Sequence, residues 1–235
     1  MDSPHPIGFL VPNWTPPANP ERAVIEGRYC RLTPLDAGAH ANDLFAAFSA
    51  DKENFDWLYL PYGPFDTLAD LTSWLTDVSS KDDPLFFTIT TPSGQAVGVA
   101  SYLRIDPPNG SIEVGHIHYA PILQRTPAAT EVMYLMMKQA FELGYRRYEW
   151  KCNALNERSR KAALRLGLSY EGIFRQAAVP KGRNRDTAWY AAIDSEWPAL
   201  KAAFETWLDP ANFDSAGMQR RPLTRLTAGI LNNPK

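Results

Sequence analysis

A succession of short apolar strands, interrupted once by a long helix, most constrains how this chain can fold. Strand patterns run over residues 85–90, 96–104 and 111–119, with proline, glycine and asparagine in the gaps between them. Such short connections predict antiparallel hairpins. A helix at 127–143 and a strand at 147–153 follow, which indicates a crossover between two parallel strands. We therefore expect an α+β fold, with a mixed, mostly antiparallel twisted sheet flanked by helices.

Periodic segments outside this passage extend the pattern over most of the chain. Alternation of apolar and polar residues indicates strands, and apolar residues three and four apart indicate helices. The additional predicted elements are a strand at 29–35, helices at 37–50, 68–78 and 156–166, strands at 169–178 and 186–193, and a last helix carrying Trp197 and Leu208.

The sequence divides into one domain with an extension at each end. Residues 1–27 are rich in proline and lack a helical period, which predicts an extended arm that Trp14 pins to the surface. Residues 210–235 are poorly patterned and are predicted to be a C-terminal tail. Residues 28–209 are predicted to be a single domain, because 235 residues with 45% apolar content suffice for one full core.

Charge and cysteine content argue against several classes of protein. Twenty-four basic and 26 acidic residues give a formal charge of −2, so nucleic acid and membrane surfaces are not expected partners. No segment approaches the ~18 apolar residues of a membrane helix, and the N-terminus lacks the apolar core of a signal peptide, so we expect a cytoplasmic protein. Cys30 and Cys152 are far apart without the spacing of a metal site, which favours reduced thiols.

The start of the long helix predicts an anion-binding site. Thr126 is a favoured N-cap residue, and Pro127 suits the first helical position, where its missing N–H has no partner in any case. The free amides of such a helix start attract phosphate groups. A plain capped helix without a ligand is the alternative. The predicted cradle consists of Arg125, Thr126, Ala128, Ala129 and Thr130.

Six landmarks carry a resemblance to a known family. In their order and spacing they resemble the GCN5-related N-acetyltransferase (GNAT) superfamily over about residues 28–195. Within it, the chain is similar to the branch of ribosomal-protein N-terminal acetyltransferases and acetyltransferases of aminoacyl-nucleotide antibiotics. The landmarks are Tyr29 to Leu35, Ile112-Glu113-Val114-Gly115, Thr130-Glu131, Asn156-Glu157-Arg158-Ser159 with Ala162 to Leu168, Tyr170-Glu171-Gly172 with Arg175, and Arg185-Asp186.

The resemblance implies an enzyme that uses acetyl-CoA and needs no metal. The acceptor would be a primary amine of a small molecule or a peptide N-terminus, which attacks directly in a ternary complex. Asn156 and Ser159 would face the pantetheine arm, and Ser159 would protonate the departing thiolate. Backbone N–H groups near residues 117–119 would polarise the thioester carbonyl. A plain N-cap is the alternative role for Asn156.

The general base has three candidates: Glu113, His116 and His118. Regular alternation places Glu113 on one strand face with Ile117 and Tyr119, and the two histidines on the other, so only a bulge could bring all three to the substrate. A histidine near its ordinary pKa of about 6.5 suits proton removal near neutrality. Structural histidines, or a water chain with an amine that arrives neutral, are the alternatives.

Acceptor binding is assigned to Arg175 and Tyr119, and Arg183 and Arg185 flank the same predicted hairpin as Arg175. Arginine side chains there suit an anionic acceptor, whereas a solvated turn is the plain alternative.

Two positions depart from the family pattern. Counted from Arg125, the superfamily's phosphate loop carries glycine where this chain has Ala128, and glycine or alanine where it has Thr130. The alternative functions are therefore a non-catalytic acyl-CoA-binding or regulatory protein and an acyltransferase for a longer acyl chain. Either a monomer or a homodimer is compatible with the sequence.

Overall fold

Eight strands form one sheet in the computed structural model, which describes residues 7–232. Residues 1–6 of the predicted arm and 233–235 of the predicted tail lie outside the described residues. The strands are β1 (Ile25–Glu26), β2 (Arg31–Pro34), β3 (Leu85–Thr90), β4 (Ala96–Asp106), β5 (Ser111–Tyr119), β6 (Arg147–Asn153), β7 (Ser169–Ala178) and β8 (Arg185–Ile193). The helices are α1 (Ala37–Phe48), α2 (Leu68–Ser79), α3 (Pro127–Glu142), α4 (Glu157–Arg165), α5 (Trp197–Leu208) and α6 (Leu223–Thr227).

The sheet is mixed, as predicted. Its strand order is β1-β2-β3-β4-β5-β6-β8-β7, and every neighbouring pair is antiparallel except β5 and β6. The parallel pair is joined through α3, which is the crossover expected from the strand-helix-strand pattern. The predicted bounds of β3, β5, β6 and β7 are confirmed.

Two apolar clusters lie on opposite faces of the sheet. One cluster joins α1 and α2 to β3 and β4 through Leu44, Leu71, Leu75, Phe86 and Val99. The other joins α3, α4 and α5 to the middle strands, and its members include Val132, Met136, Ala163, Phe204 and Trp150. Both faces of the sheet are therefore covered there, and every residue of β3 is buried.

The N-terminal arm is anchored where the sequence predicts it. The indole Nε1 of Trp14 donates a hydrogen bond of 3.1 Å to the Pro108 carbonyl oxygen. Gly110 permits this contact, since a Cβ atom at Gly110 would lie 2.3 Å from the Trp14 ring. The sequence did not predict β1, a two-residue strand within the arm that adds to the edge of the sheet.

The C-terminal segment carries a short helix that the sequence did not predict. Leu223 and Thr227 of α6 are buried, and the Thr227 hydroxyl donates to the Arg165 carbonyl oxygen at 3.2 Å. Five residues are too few for a helical period, so this helix depends on packing against α4 and α5. No helix within residues 7–232 combines the length and the apolar character needed to span a membrane.

Candidate active site

A cavity of about 1100 Å³ opens where β5 and β6 separate. The two strands pair from Ser111 with Arg147 to Val114 with Trp150, and β5 then runs on without a β6 partner. Strand β6 instead continues alongside β8 as far as Asn153. Backbone groups of β5 on the side of β6 therefore border the cavity between residues 115 and 119, as the family resemblance implied.

A β-bulge at His116 changes which side chains of β5 share a face. Ser101 of β4 pairs with Gly115 and Val99 pairs with His118, so two residues of β5 oppose one of β4. His116 itself takes a positive φ of 50°, which L-residues rarely adopt. After the bulge, Ile117 packs against the α3 cluster with Val114.

The expected division of the candidate bases between two faces is therefore wrong. Glu113 alternates with the core residues Ile112 and Val114 and so lies on the sheet face opposite α3. His116 and His118 lie on that same face, where they contact aromatic side chains of the α1–α2 cluster.

His118 is enclosed by aromatic rings. Its ring stacks on Trp57 at a centroid distance of 3.8 Å and meets Phe48 edge-on at 4.2 Å. The side chain is only 2% exposed, and its Nδ1 has no hydrogen-bond partner within the described chain. Burial lowers the pKa of His118 to about 3, a shift that Asp51 opposes. The ring is therefore neutral at pH 7.

His116 is also a weak base. Its Nδ1 lies 3.2 Å from the Tyr62 hydroxyl. Burial, followed by the positive charges of Arg104 and Arg185, lowers the pKa of His116 to about 4. A group with so low a pKa holds a proton poorly near neutrality.

Glu113 is held by two cations. Its Oε2 accepts a hydrogen bond of 2.5 Å from Arg104 and lies 2.8 Å from the Lys151 Nζ. Lys151 is 5% exposed at its side chain, and its Nζ sits 3.8 Å from the centroid of the Trp189 ring. These pairs belong to a larger set that we call the cross-strand ion network: Arg104, Glu113, Lys151, Glu149, Arg147 and Glu171.

The start of α3 forms one end of the cavity. The Thr126 hydroxyl accepts a hydrogen bond of 3.2 Å from the Ala129 amide, which confirms Thr126 as the N-cap. Arg125 precedes it with a positive φ of 61°. Thr130 is buried, and its hydroxyl accepts a hydrogen bond of 3.0 Å from Arg165. Of the predicted cradle, Arg125, Thr126, Ala129 and Thr130 line the cavity and Ala128 does not.

Ser159 lies at the start of α4, beside the separated strands. The Asn156 side chain accepts from the Ser159 amide at 3.1 Å, so Asn156 is the N-cap of α4. The Trp150 indole donates to the Ser159 Oγ at 3.0 Å. Because indole is only a donor, this bond does not use the Ser159 O–H, and Ser159 lines the cavity. Cys152 also lines the cavity, and burial raises the pKa of its thiol, which Ser159 opposes.

The β7–β8 hairpin closes the opposite end. Arg175 is exposed and does not line the cavity, so the structure does not bring this predicted residue to the site. Arg185, Phe174 and Trp189 do line it. Tyr119 lines it as well, but its hydroxyl donates to the Ala129 carbonyl oxygen at 3.4 Å and so contacts the start of α3.

The α1–α2 loop contacts the segment before α3 through a pair of residues that no sequence pattern predicts. The Gln124 Nε2 donates to the Asp56 Oδ2 at 2.6 Å and to the Tyr119 carbonyl oxygen at 2.9 Å. Burial raises the pKa of Asp56, whereas the bond from Gln124 lowers it. No sequence pattern marked Asp56, since its neighbour lies far along the chain. Within residues 7–232, no three His, Cys, Asp or Glu side chains cluster as a metal site would require.

Residues 30–169 match the family described as "Acetyltransferase (GNAT) domain". The chain belongs to the GNAT acetyltransferase family. It is therefore an acyltransferase, and the family uses acetyl-CoA. The match covers β5 and β6, which separate at the cavity, and the starts of α3 and α4. No curated protein matches the chain.

Solved GNAT structures support the same assignment. A GCN5-related N-acetyltransferase from Brucella melitensis is 50% identical, with a TM-score of 0.91, and the match covers 93% of this chain and 100% of that one. A protein from Chromobacterium violaceum ATCC 12472, described as one of the "probable acetyltransferases (GNAT family)", is 39% identical, with a TM-score of 0.78, and the match covers 85% of this chain and 100% of that one.

A more distant structure shares the fold of this GNAT protein. The microcin C7 self-immunity acetyltransferase MccE, in complex with acetyl-CoA and AMP, is 21% identical with a TM-score of 0.63, over 71% of this chain and 93% of that one. At this identity the similarity shows the fold alone.

Proposed function

We propose that this GNAT protein transfers an acetyl group from acetyl-CoA to a primary amine of a small molecule or a peptide N-terminus. The amine attacks directly while donor and acceptor are bound together. The supporting observation is the cavity between β5 and β6, which has the start of α3 at one end and the β7–β8 hairpin at the other. A cavity with two ends can hold two reactants in contact.

The donor end suits the pyrophosphate of acetyl-CoA. Helix α3 has 16 residues, and its N-terminus carries partial positive charge toward the cavity. Pro127 has no N–H and the Ala129 amide is already bonded to Thr126, so the Thr126 amide and the Arg125 side chain are the cavity-lining groups left to hold an anion. Alanine at position 128 keeps its amide, so the missing glycine does not remove a donor.

Bound acetyl-CoA supplies an activated acetyl thioester. Ser159 is assigned to give its hydroxyl proton to the departing sulfur, because its Oγ is oriented by Trp150 through a bond that does not use this proton. Backbone amides of β5 beyond Val114 are assigned to hold the carbonyl oxygen, since β6 leaves that edge.

We propose that the acceptor amine binds in its unprotonated form. His118 is enclosed, Glu113 is paired with two cations, and His116 has a pKa of about 4. A base this weak removes a proton from an alkylammonium group only against a large free-energy difference. These three side chains instead shape the face on which the amine binds.

Titration of the unfolding midpoint with acetyl-CoA tests donor binding. At 100 times its Kd the ligand adds about 2.7 kcal/mol of stability. A matched titration with dephospho-CoA, which lacks the acetyl group and the 3′-phosphate, reports how much the remaining part of the molecule contributes to binding. Thiol release across a panel of amines then tests transfer, and kcat/KM should rise with pH up to the pKa of each amine.

The alternatives give different results in the same assays. A midpoint that rises without thiol release from any amine would favour a non-catalytic acyl-CoA-binding protein. Faster release from a longer acyl-CoA would assign a different donor. No rise at millimolar acetyl-CoA would contradict the proposal, because the start of α3 would then not hold pyrophosphate.

A further inference from the structure

The acceptor end of the cavity presents a row of side chains from β8 and β6. Arg185, Thr187 and Trp189 alternate along β8 and therefore lie on one face of the sheet. Trp189 pairs across the strands with Lys151, and Thr187 pairs with Asn153. All five residues line the cavity. A ligand bound at this end therefore touches a surface built on strands, which hold side chains firmly.

The cross-strand ion network is balanced in charge. It contains three cations and three carboxylates, and each cation lies within 2.8 Å of a carboxylate oxygen in the network. Lys151 is shared between Glu113 and Glu149, at 2.8 Å and 2.6 Å. These six side chains therefore bring no net charge to the acceptor end.

Arg185 is a cation at the acceptor end that does not belong to the cross-strand ion network. Its Nε donates to the Thr187 hydroxyl at 3.2 Å, and no ion pair joins it to a carboxylate of residues 7–232. Burial lowers the pKa of its guanidinium, an effect that outweighs the attraction of Cys152 and Glu113. A partly buried cation without a paired anion is costly, and a bound anion offsets that cost.

We propose that the acceptor is an amine that also carries a carboxylate or phosphate, and that Arg185 binds this anionic group. The proposal rests on the proposed function and specifies its substrate class. One donor of the guanidinium is bonded to Thr187, which fixes the plane of the group. The remaining donors form a fork that matches two oxygens of a carboxylate or phosphate.

Matched pairs of amines test the substrate class. Each pair differs only in charge: an α-amino acid with its carboxamide, and O-phosphoethanolamine with ethanolamine. Rates are compared per unprotonated amine, so that differences in amine pKa do not enter. We expect kcat/KM to be at least ~10-fold higher for the anionic member, as the strength of a charge-assisted hydrogen bond indicates. The two pairs also distinguish a carboxylate from a phosphate acceptor.

The variant Arg185→Gln should lower kcat/KM for the anionic member ~10- to 100-fold and leave the neutral member within ~3-fold. Arg175→Gln is the matched control, because Arg175 lies in the strand before the same turn, is exposed and does not line the cavity. The Arg175→Gln substitution should change kcat/KM for neither member of a pair. Equal rates for both members of every pair, or equal losses for both in Arg185→Gln, would overturn the proposal.

A binding measurement separates this proposal from the proposed function. With CoA present, the anionic amine should raise the unfolding midpoint of the native protein and not that of Arg185→Gln, whether or not any amine is acetylated. If the midpoint rises only in the native protein and no amine is acetylated, the result contradicts acetyl transfer and supports the anion site. If the anionic amine raises the midpoint equally in the two proteins, with or without turnover, the anion site is overturned.

Discussion

The Trp150 indole donates a hydrogen bond of 3.0 Å to the Ser159 hydroxyl oxygen across the gap between β6 and α4. Trp150 is the last residue of β6 that pairs with β5, so this bond lies where the two strands separate. It fixes the position of the Ser159 oxygen without using the hydroxyl proton, which is the arrangement a proton donor requires.

Replacement of Ser159 by alanine should lower kcat about 10²-fold, because a positioned proton donor contributes at least that factor. The Kd for acetyl-CoA should stay within ~3-fold, since the first turn of α3 holds the phosphates. Trp150→Phe keeps the hydroxyl but not its hydrogen bond and should cost less. Single-turnover rates and titration of acetyl-CoA measure the two quantities. A kcat for Ser159→Ala within ~3-fold of the native value would remove Ser159 from catalysis.

Lys151→Met should destabilise the fold by about 3 kcal/mol, because it leaves two carboxylates short of a buried cation. Lys151 lies between Glu113 and Glu149 at 2.8 Å and 2.6 Å. Lys138→Met is the matched control, since Lys138 pairs with Glu142 at 2.8 Å on an exposed face of α3, where such a pair contributes about 0.5 kcal/mol or less. Urea unfolding compares the two variants. Similar losses in both would show that the cross-strand ion network adds no stability.

Gly167→Ala tests the packing of α6 against the rest of the protein. Gly167 has a φ of 86°, and a Cβ atom there would lie 2.3 Å from the Leu200 Cδ2 and 3.3 Å from the Thr227 Cγ2. We expect a loss of about 2 kcal/mol or more from backbone strain and overpacking together. Gly94→Ala isolates the strain, because Gly94 has a φ of 92° with nothing within 4 Å, and should cost about 1 kcal/mol. Equal losses would mean that the Leu200 side chain and α6 move to accommodate the added methyl group without further cost.

The sequence predicted elements whose signals are local. Proline and glycine turns separate the strands β3, β4 and β5, and Thr126 and Asn156 cap the helices on either side of β6. These features depend on neighbours within a few residues, so a single sequence contains them. Short elements such as β1 and α6 carry too few residues for a period, and their existence depends on what they pack against.

The site was less predictable, because its geometry depends on pairing between strands. The bulge at His116 moves two histidines to the face of Glu113, and no residue near position 116 announces the change. Similarly, the half-buried position of Arg185 in the cavity and the exposed position of Arg175 outside it follow from the irregular pairing of β7 and β8, which no local pattern encodes.

Acid should destabilise the protein through His118. Its pKa is about 3 when folded and about 6.5 when unfolded, so below pH 6.5 the unfolded chain binds a proton that the folded protein does not. Stability from this histidine is therefore fully present above pH 6.5 and falls as the pH decreases. Between pH 7 and pH 5 the free energy of unfolding falls by about 2 kcal/mol, because each pH unit below about 6.5 lowers it by about 1.4 kcal/mol.

The substitution His118→Phe removes the titratable imidazole but keeps an aromatic ring against Trp57 and Phe48. Urea unfolding at pH 7 and pH 5 should show that the variant loses about 2 kcal/mol less than the native protein over this interval. The comparison uses the change with pH, so any direct effect of the new ring on stability cancels. An identical pH dependence in both proteins would mean that His118 takes up a proton in the folded state, and the ring would then be a candidate base after all.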